Sequence, residues 1–97
     1  MQTVPELTYV QQTILDCVQN FDGKLQRSEI AKLLYGSESG RIAGMHGERY
    51  FGRLSRIKRK SLMHHLDVLI QQKYLEQDGF DRVLMSERGR DFFAERQ

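Results

Sequence analysis

The sequence predicts a mainly α-helical domain that closes on a small β-hairpin. Three observations carry this reading. Apolar residues recur at helical spacing in separate segments, most clearly Leu62, Met63, Leu66, Leu69 and Ile70. Two strand-like runs, Tyr74–Gln77 and Arg82–Met85, flank Asp78-Gly79-Phe80-Asp81, which has the composition of a hairpin turn. A chain of 97 residues supports one modest core, not two domains.

Residues 1–6 read as a lead-in, with Pro5 suited to a first helical turn. Leu7, Val10, Ile14, Cys17, Val18 and Phe21 then form one apolar stripe, which predicts a first helix stopped at Asp22-Gly23. Cys17 lies in that stripe, with no basic neighbour to lower its pKa, and reads as a buried, inert thiol. Leu25 is placed in a very short strand. Ser28 or the residue before it is the expected cap of a second helix that carries Ile30, Leu33 and Leu34 and ends at Gly36. A weak, glycine-interrupted helix is expected around Arg41, Ile42 and Met45, followed by an irregular stretch from His46 to Leu54. Ser55 is the expected cap of the longest helix, running to about Lys73, with Lys60, Ser61, His64 and Gln71 facing outward. Ile57 and Val68 interrupt the polarity of that outer face. Ser86 is positioned to cap a closing helix bearing Phe92 and Phe93.

Charge is distributed unevenly. Residues 41–60 hold seven basic side chains and one acid, whereas the remainder of the chain holds eight bases against twelve acids. A block with a local excess of +6 is the electrostatic footprint of a surface for a polyanion. The alternative is an ordinary solvated surface. The block also coincides with the start of the longest predicted helix, where Arg56, Lys58, Arg59 and Lys60 face the positive end of the helix dipole and cost a few tenths of a kcal/mol each. An arriving anion reverses that sign, because free N–H groups and cations then converge on it.

Several classes are excluded. No run approaches the roughly 20 apolar residues of a membrane span, and no secretory h-region is present. One cysteine permits neither an internal disulfide nor a multi-cysteine zinc site, so a reducing, intracellular setting is expected. The glycine-rich motifs of nucleotide-binding proteins are missing, which argues against a self-contained NTPase. No nucleophile–base–acid set is visible, and the chain is read as a non-enzyme with no cofactor. His46, His64 and His65 do not make a metal site, since His64 and His65 point about 100° apart on a helix.

Helix, short strand, helix, helix, hairpin and closing helix is the order of a winged helix, or winged helix-turn-helix, over residues 7–97. Within it, the segment Leu34-Tyr35-Gly36-Ser37-Glu38-Ser39-Gly40-Arg41, then Tyr50-Phe51-Gly52, the basic run opening the long helix, Leu66 to Leu75, and Leu84-Met85-Ser86-Glu87-Arg88-Gly89-Arg90 resemble the RecQ C-terminal (RQC) domain of RecQ-family DNA helicases. The resemblance implies a module for structured duplex DNA working beside an ATP-dependent helicase motor in cis, in DNA repair, replication or recombination. It implies a grip on backbone phosphates near a duplex end, fork or junction, with the wing at the duplex end, where an aromatic side chain in some relatives stacks on the terminal base pair. The four-cysteine zinc module that precedes the domain in the family is not in these residues, so the chain resembles an excised domain or a truncated relative with a short wing. The expected setting is the cytoplasm and nucleoid of a bacterium or the nucleus of a eukaryote, and the expected state a monomer.

The candidate phosphate contacts are Ser37, Ser39, Arg41, Arg53, Arg56, Lys58, Arg59 and Lys60. Ser37, Ser39 and Arg41 map onto the family's backbone-gripping turn, where short hydroxyls beside glycines let main-chain N–H groups approach a phosphate. The two serines would alternatively cap the weak helix. Phe80, with Arg82 to steady the flanking phosphate, is the candidate for base stacking; its other role is packing against its own hairpin or the core edge. His64 is a further candidate contact. Tyr50 and Phe51 are read as pins of their loop onto the core, with stacking on a base as the alternative. Two other functions fit the same fold: a stand-alone winged-helix transcription regulator, which needs a dimer to read a two-fold operator, and a winged-helix protein-interaction module, which needs an exposed apolar surface.

Overall fold

Thr8 opens the first helix through a reciprocal box: its Oγ1 accepts from the Gln11 amide at 3.2 Å, and the Gln11 side chain accepts from the Thr8 amide at 3.1 Å. A computed structural model describes residues 7–37, 42, 44 and 47–95, the side chains of Phe93 and Glu95 excepted. Helix α1 (Tyr9–Asn20) buries Ile14, Leu15, Cys17 and Val18, as its stripe requires. It ends with the Phe21 amide on the Cys17 and Val18 carbonyls, and Gly23 turns the chain at φ +74° two residues later. Asp22 then spans two elements, accepting from the Met85 amide and from the Arg90 guanidinium.

Helix α2 (Arg27–Tyr35) begins one or two residues earlier than expected. Gln26, not Ser28 or Arg27, is its cap, because Glu29 reaches back to accept from the Gln26 amide at 2.8 Å. Gly36 closes the helix in the left-handed region at φ +89°.

The stretch expected to start the long helix at Ser55 is instead a chain of turns. Amides of Phe51, Arg53, Ser55 and Ile57 each bond the carbonyl three residues back. These turns bring Leu54 into the core and pack Ile57 against it, which accounts for an apolar residue that has no place on a polar helix face. Two further amides in this stretch, Gly52 and Leu54, donate to the Leu33 and Leu34 carbonyls at 2.8 Å each. Those carbonyls belong to the last turn of α2, where Leu33 otherwise accepts only from the Gly36 cap amide at 3.2 Å, so the loop completes the end of that helix. Helix α3 (Arg59–Gln71) follows, shorter at both ends than expected, with Leu62, Leu66 and Leu69 fully buried. Truncating any one of these to alanine would cost about 2–5 kcal/mol.

Strands β1 (Leu75–Gln77) and β2 (Val83–Met85) pair antiparallel, Leu75 opposite Met85 and Gln77 opposite Val83. The strand expected at Leu25 is reduced to a single bridge, Gln26 opposite Arg82, with the Val83 amide on the Leu25 carbonyl at 2.9 Å. That bridge fastens the hairpin to the start of α2. Ser86 caps helix α4 (Glu87–Glu95), accepting from the Gly89 amide at 3.1 Å while donating to the Lys73 carbonyl. Position 89 requires glycine because a Cβ there would overlap the Tyr74 carbonyl oxygen. Phe92 packs edge-on against Tyr74; the Phe93 side chain lies outside the described set. The architecture is a winged helix, with a mainly helical body and a two-stranded wing.

Candidate nucleic-acid interface

The mouth of α3 is bare. Lys58 occupies the cap position in extended conformation and makes no side-chain cap bond. The first intrahelical bond is the Leu62 amide on the Lys58 carbonyl, so the amides of Arg59, Lys60 and Ser61 have no acceptor among the described residues. Around these amides stand Arg56, Lys58, Arg59 and Lys60, all exposed. Among the described residues none of the four is ion-paired; Arg59 alone has a partner, its guanidinium 5.9 Å from the centre of the Tyr35 ring. Three orphan donors and four cations thus share one helix end, with no acid in its first turn.

This mouth opens onto a groove between α2 and α3 with a volume of about 210 Å³, lined by Ser28, Ala31, Lys32, Arg59, Lys60 and Met63. Lys32 and Ser28 come from the facing helix. Ser37 follows directly after the α2 stop, where its amide bonds the Lys32 carbonyl at 2.9 Å. Ser39 and Arg41 lie outside the described residues.

At the other end of the hydrogen-bonded hairpin, Phe80 is 72% exposed. It therefore does not pack into the core edge. The Arg82 guanidinium lies 5.0 Å from its ring centre, and Arg82 Nε donates to Asp78 Oδ2 at 2.8 Å. Arg82, expected to face a phosphate, is already held by a carboxylate and an aromatic ring.

A family model of the RQC domain matches residues 3–97. The chain belongs to the RQC family. A search of curated proteins finds no significant match. The RQC domain is a non-catalytic DNA-binding module of the RecQ family.

Within this RQC domain the basic block is divided. Arg49 sits 3.5 Å from Asp16 of α1 and over the Tyr50 ring. Arg53 faces α1 as well, lining a second groove with Tyr9, Gln12, Thr13, Asp16 and Tyr50. The Arg53 guanidinium beside the Tyr9 phenol, with a contribution from Thr13, holds that phenol below its ordinary range. Arg53 is therefore not part of the α2–α3 groove. His64 is exposed on the outer face of α3, one turn beyond Lys60, and its ring is 6.2 Å from that of His65.

Tyr50 is buried, and its hydroxyl donates to Asp16 at 2.9 Å, so it pins the loop to α1; Phe51 packs against the core. Burial, with lesser contributions from the charges of Asp16 and Glu48, pushes the Cys17 thiol up to about 12, which fits an inert core residue. Among the described residues no three of His, Cys, Asp and Glu are grouped to hold a metal, and no helix is long and apolar enough to cross a membrane.

Lys32 is the residue that sequence reasoning passes over. It lies in α2, outside the basic block, and only the packing of α2 on α3 brings it beside Arg59 and Lys60. Asp78 was readable as a turn former, but not as the partner of Arg82.

Proposed function

We propose that this RQC domain grips the phosphates of duplex or junction DNA at the α3 mouth and sets its wing against the duplex end, as the non-catalytic DNA-binding part of a RecQ-like ATP-dependent helicase whose motor lies in cis. The observation that supports this is the α3 N-terminus without a side-chain cap, with Arg56, Lys58, Arg59 and Lys60 around it and none of the four ion-paired among the described residues. A phosphate there accepts from orphan amides and cations at once, in charge-assisted bonds about twice as strong as neutral ones. Ser37, Ser39 and Arg41 extend the phosphate contacts along the turn after α2, and His64 extends them along α3. Such contacts fix position without reading sequence. Phe80 then meets the terminal base pair. Stacking on one ring is worth about 1–3 kcal/mol, comparable to the few kcal/mol needed to unstack one step. One ring biases fraying at an end; processive separation needs the ATP-driven motor.

The test is a titration of the monomeric domain with forked, blunt and single-stranded DNA at two salt concentrations. Tighter binding to forked and blunt DNA than to single strands, weakening steeply with salt, is the expected result. Equal binding to all three, or insensitivity to salt, refutes the reading.

A further inference from the structure

The wing tip is organised by one carboxylate. Gly79, Phe80 and Asp81 form a three-residue loop, closed by the Asp81 amide on the Asp78 carbonyl at 3.1 Å and by Asp81 in the left-handed region at φ +66°. The loop leaves two amides pointing inward, and Asp78 Oδ1 accepts both, from Phe80 at 2.8 Å and from Arg82 at 2.9 Å. The other oxygen, Oδ2, accepts from Arg82 Nε at 2.8 Å. A single side chain therefore sets the backbone that carries the ring and the guanidinium that lies against it. Gln26 Nε2 donates to the Phe80 carbonyl at 3.1 Å, and the Arg27 amide donates to the Asp81 carbonyl at 3.1 Å, which ties the tip to the start of α2.

This arrangement exceeds what a turn needs. A hairpin of two three-residue strands does not order an exposed phenylalanine by itself. Here a planar, weakly hydrated guanidinium 5.0 Å from the ring centre occupies the space into which the ring would otherwise fold. The ring stays 72% exposed. Burial alone would raise the Asp78 pKa; the bonds from the two amides and from Arg82 outweigh it and hold the carboxyl below its usual range.

We propose that Asp78 and Arg82 are positioning residues for end recognition: Arg82, clamped by Asp78, backs the Phe80 ring so that one aromatic face is presented to the terminal base pair. This rests on the wing-end reading above.

The experiment compares a blunt duplex carrying 2-aminopurine at its terminal pair with a dumbbell of the same sequence whose ends are closed by loops. The blunt-to-dumbbell affinity ratio and the change in 2-aminopurine fluorescence report end stacking; dumbbell affinity reports folding and phosphate grip. Phe80→Ala abolishes the fluorescence change and brings the ratio near one. Arg82→Lys, which keeps the charge but not the flat stack, lowers the ratio about 2- to 5-fold while dumbbell affinity holds, the range expected of one exposed cation–π contact. Asp78→Asn, which still offers an oxygen to the two amides, produces the same loss, and the double variant loses no more than either single change. If Phe80→Ala leaves the ratio unchanged, the wing-end reading fails and the positioning role falls with it. If Phe80→Ala removes the end preference while Arg82→Lys and Asp78→Asn behave as wild type, the positioning role alone is refuted.

Discussion

A Cβ built on Gly36 would lie 3.1 Å from the Cα of Gly52. The two glycines sit in different motifs, Leu-Tyr-Gly-Ser and Tyr-Phe-Gly, sixteen positions apart. Their backbones meet because the Gly52 and Leu54 amides serve the last carbonyls of α2. The sixteen-residue spacing thus has a physical basis: one contact seats the basic loop on the second helix, and so fixes where the segment carrying Arg56 and Lys58 runs.

Gly36→Ala should therefore destabilise the domain on two counts. The residue adopts φ +89°, where an L side chain is strained, and its methyl group would press on backbone that cannot swing aside. Together these should cost about 1–3 kcal/mol. Urea unfolding would show a lower midpoint with an unchanged slope. Gly47→Ala is the comparison, since a Cβ there meets nothing within 4 Å; it should fall within about 0.5 kcal/mol of wild type.

The phosphate grip at the α3 mouth has a countable signature. Four cations at this mouth, with Arg41 as a fifth, engage about five phosphates and release counterions with a log–log salt slope near −4.5. Lys58→Gln and Lys60→Gln should each flatten that slope by about 0.9. Arg49→Gln should change it less, because Arg49 is spent on Asp16 and the Tyr50 ring. Binding isotherms from low to moderate salt check this, and equal effects at positions 49, 58 and 60 would contradict the division of the block.

Much of this was legible in the sequence, for a local reason: apolar spacing, glycine stops and turn chemistry act within a few residues. The cores of α1 and α3, the hairpin and the Ser86 cap are of that kind. The failures are non-local. Ser55 looked like a cap, and Ile57 looked like a flaw in a helix. Both readings turn on the α2 carbonyls that capture Gly52 and Leu54, a demand set two elements away. Lys32 entered the groove only through helix packing. The link from Arg82 to Asp78 depends on a loop length that puts a side chain opposite its own turn, which composition alone does not specify.

Tyr50 supplies a pH signature of the loop's attachment. Burial, followed by its hydrogen bond to Asp16 and that residue's charge, pushes the phenol up to about 12 from an ordinary value of 10. The folded state thus favours the neutral phenol. A raised folded pKa contributes stability that is complete below pH 10 and is lost as the pH climbs toward 12. The contribution should be about 1–2 kcal/mol, reduced by the solvent that reaches the Asp16 carboxylate. Tyr50→Phe should accordingly be less stable than wild type at neutral pH, and the gap should close between pH 10 and 12. In the absorbance titration of tyrosinate, the same substitution should remove the phenol that ionises near 12. A Tyr50 that titrates at the ordinary phenol value of 10 would mean that the loop is not held on α1 by this bond.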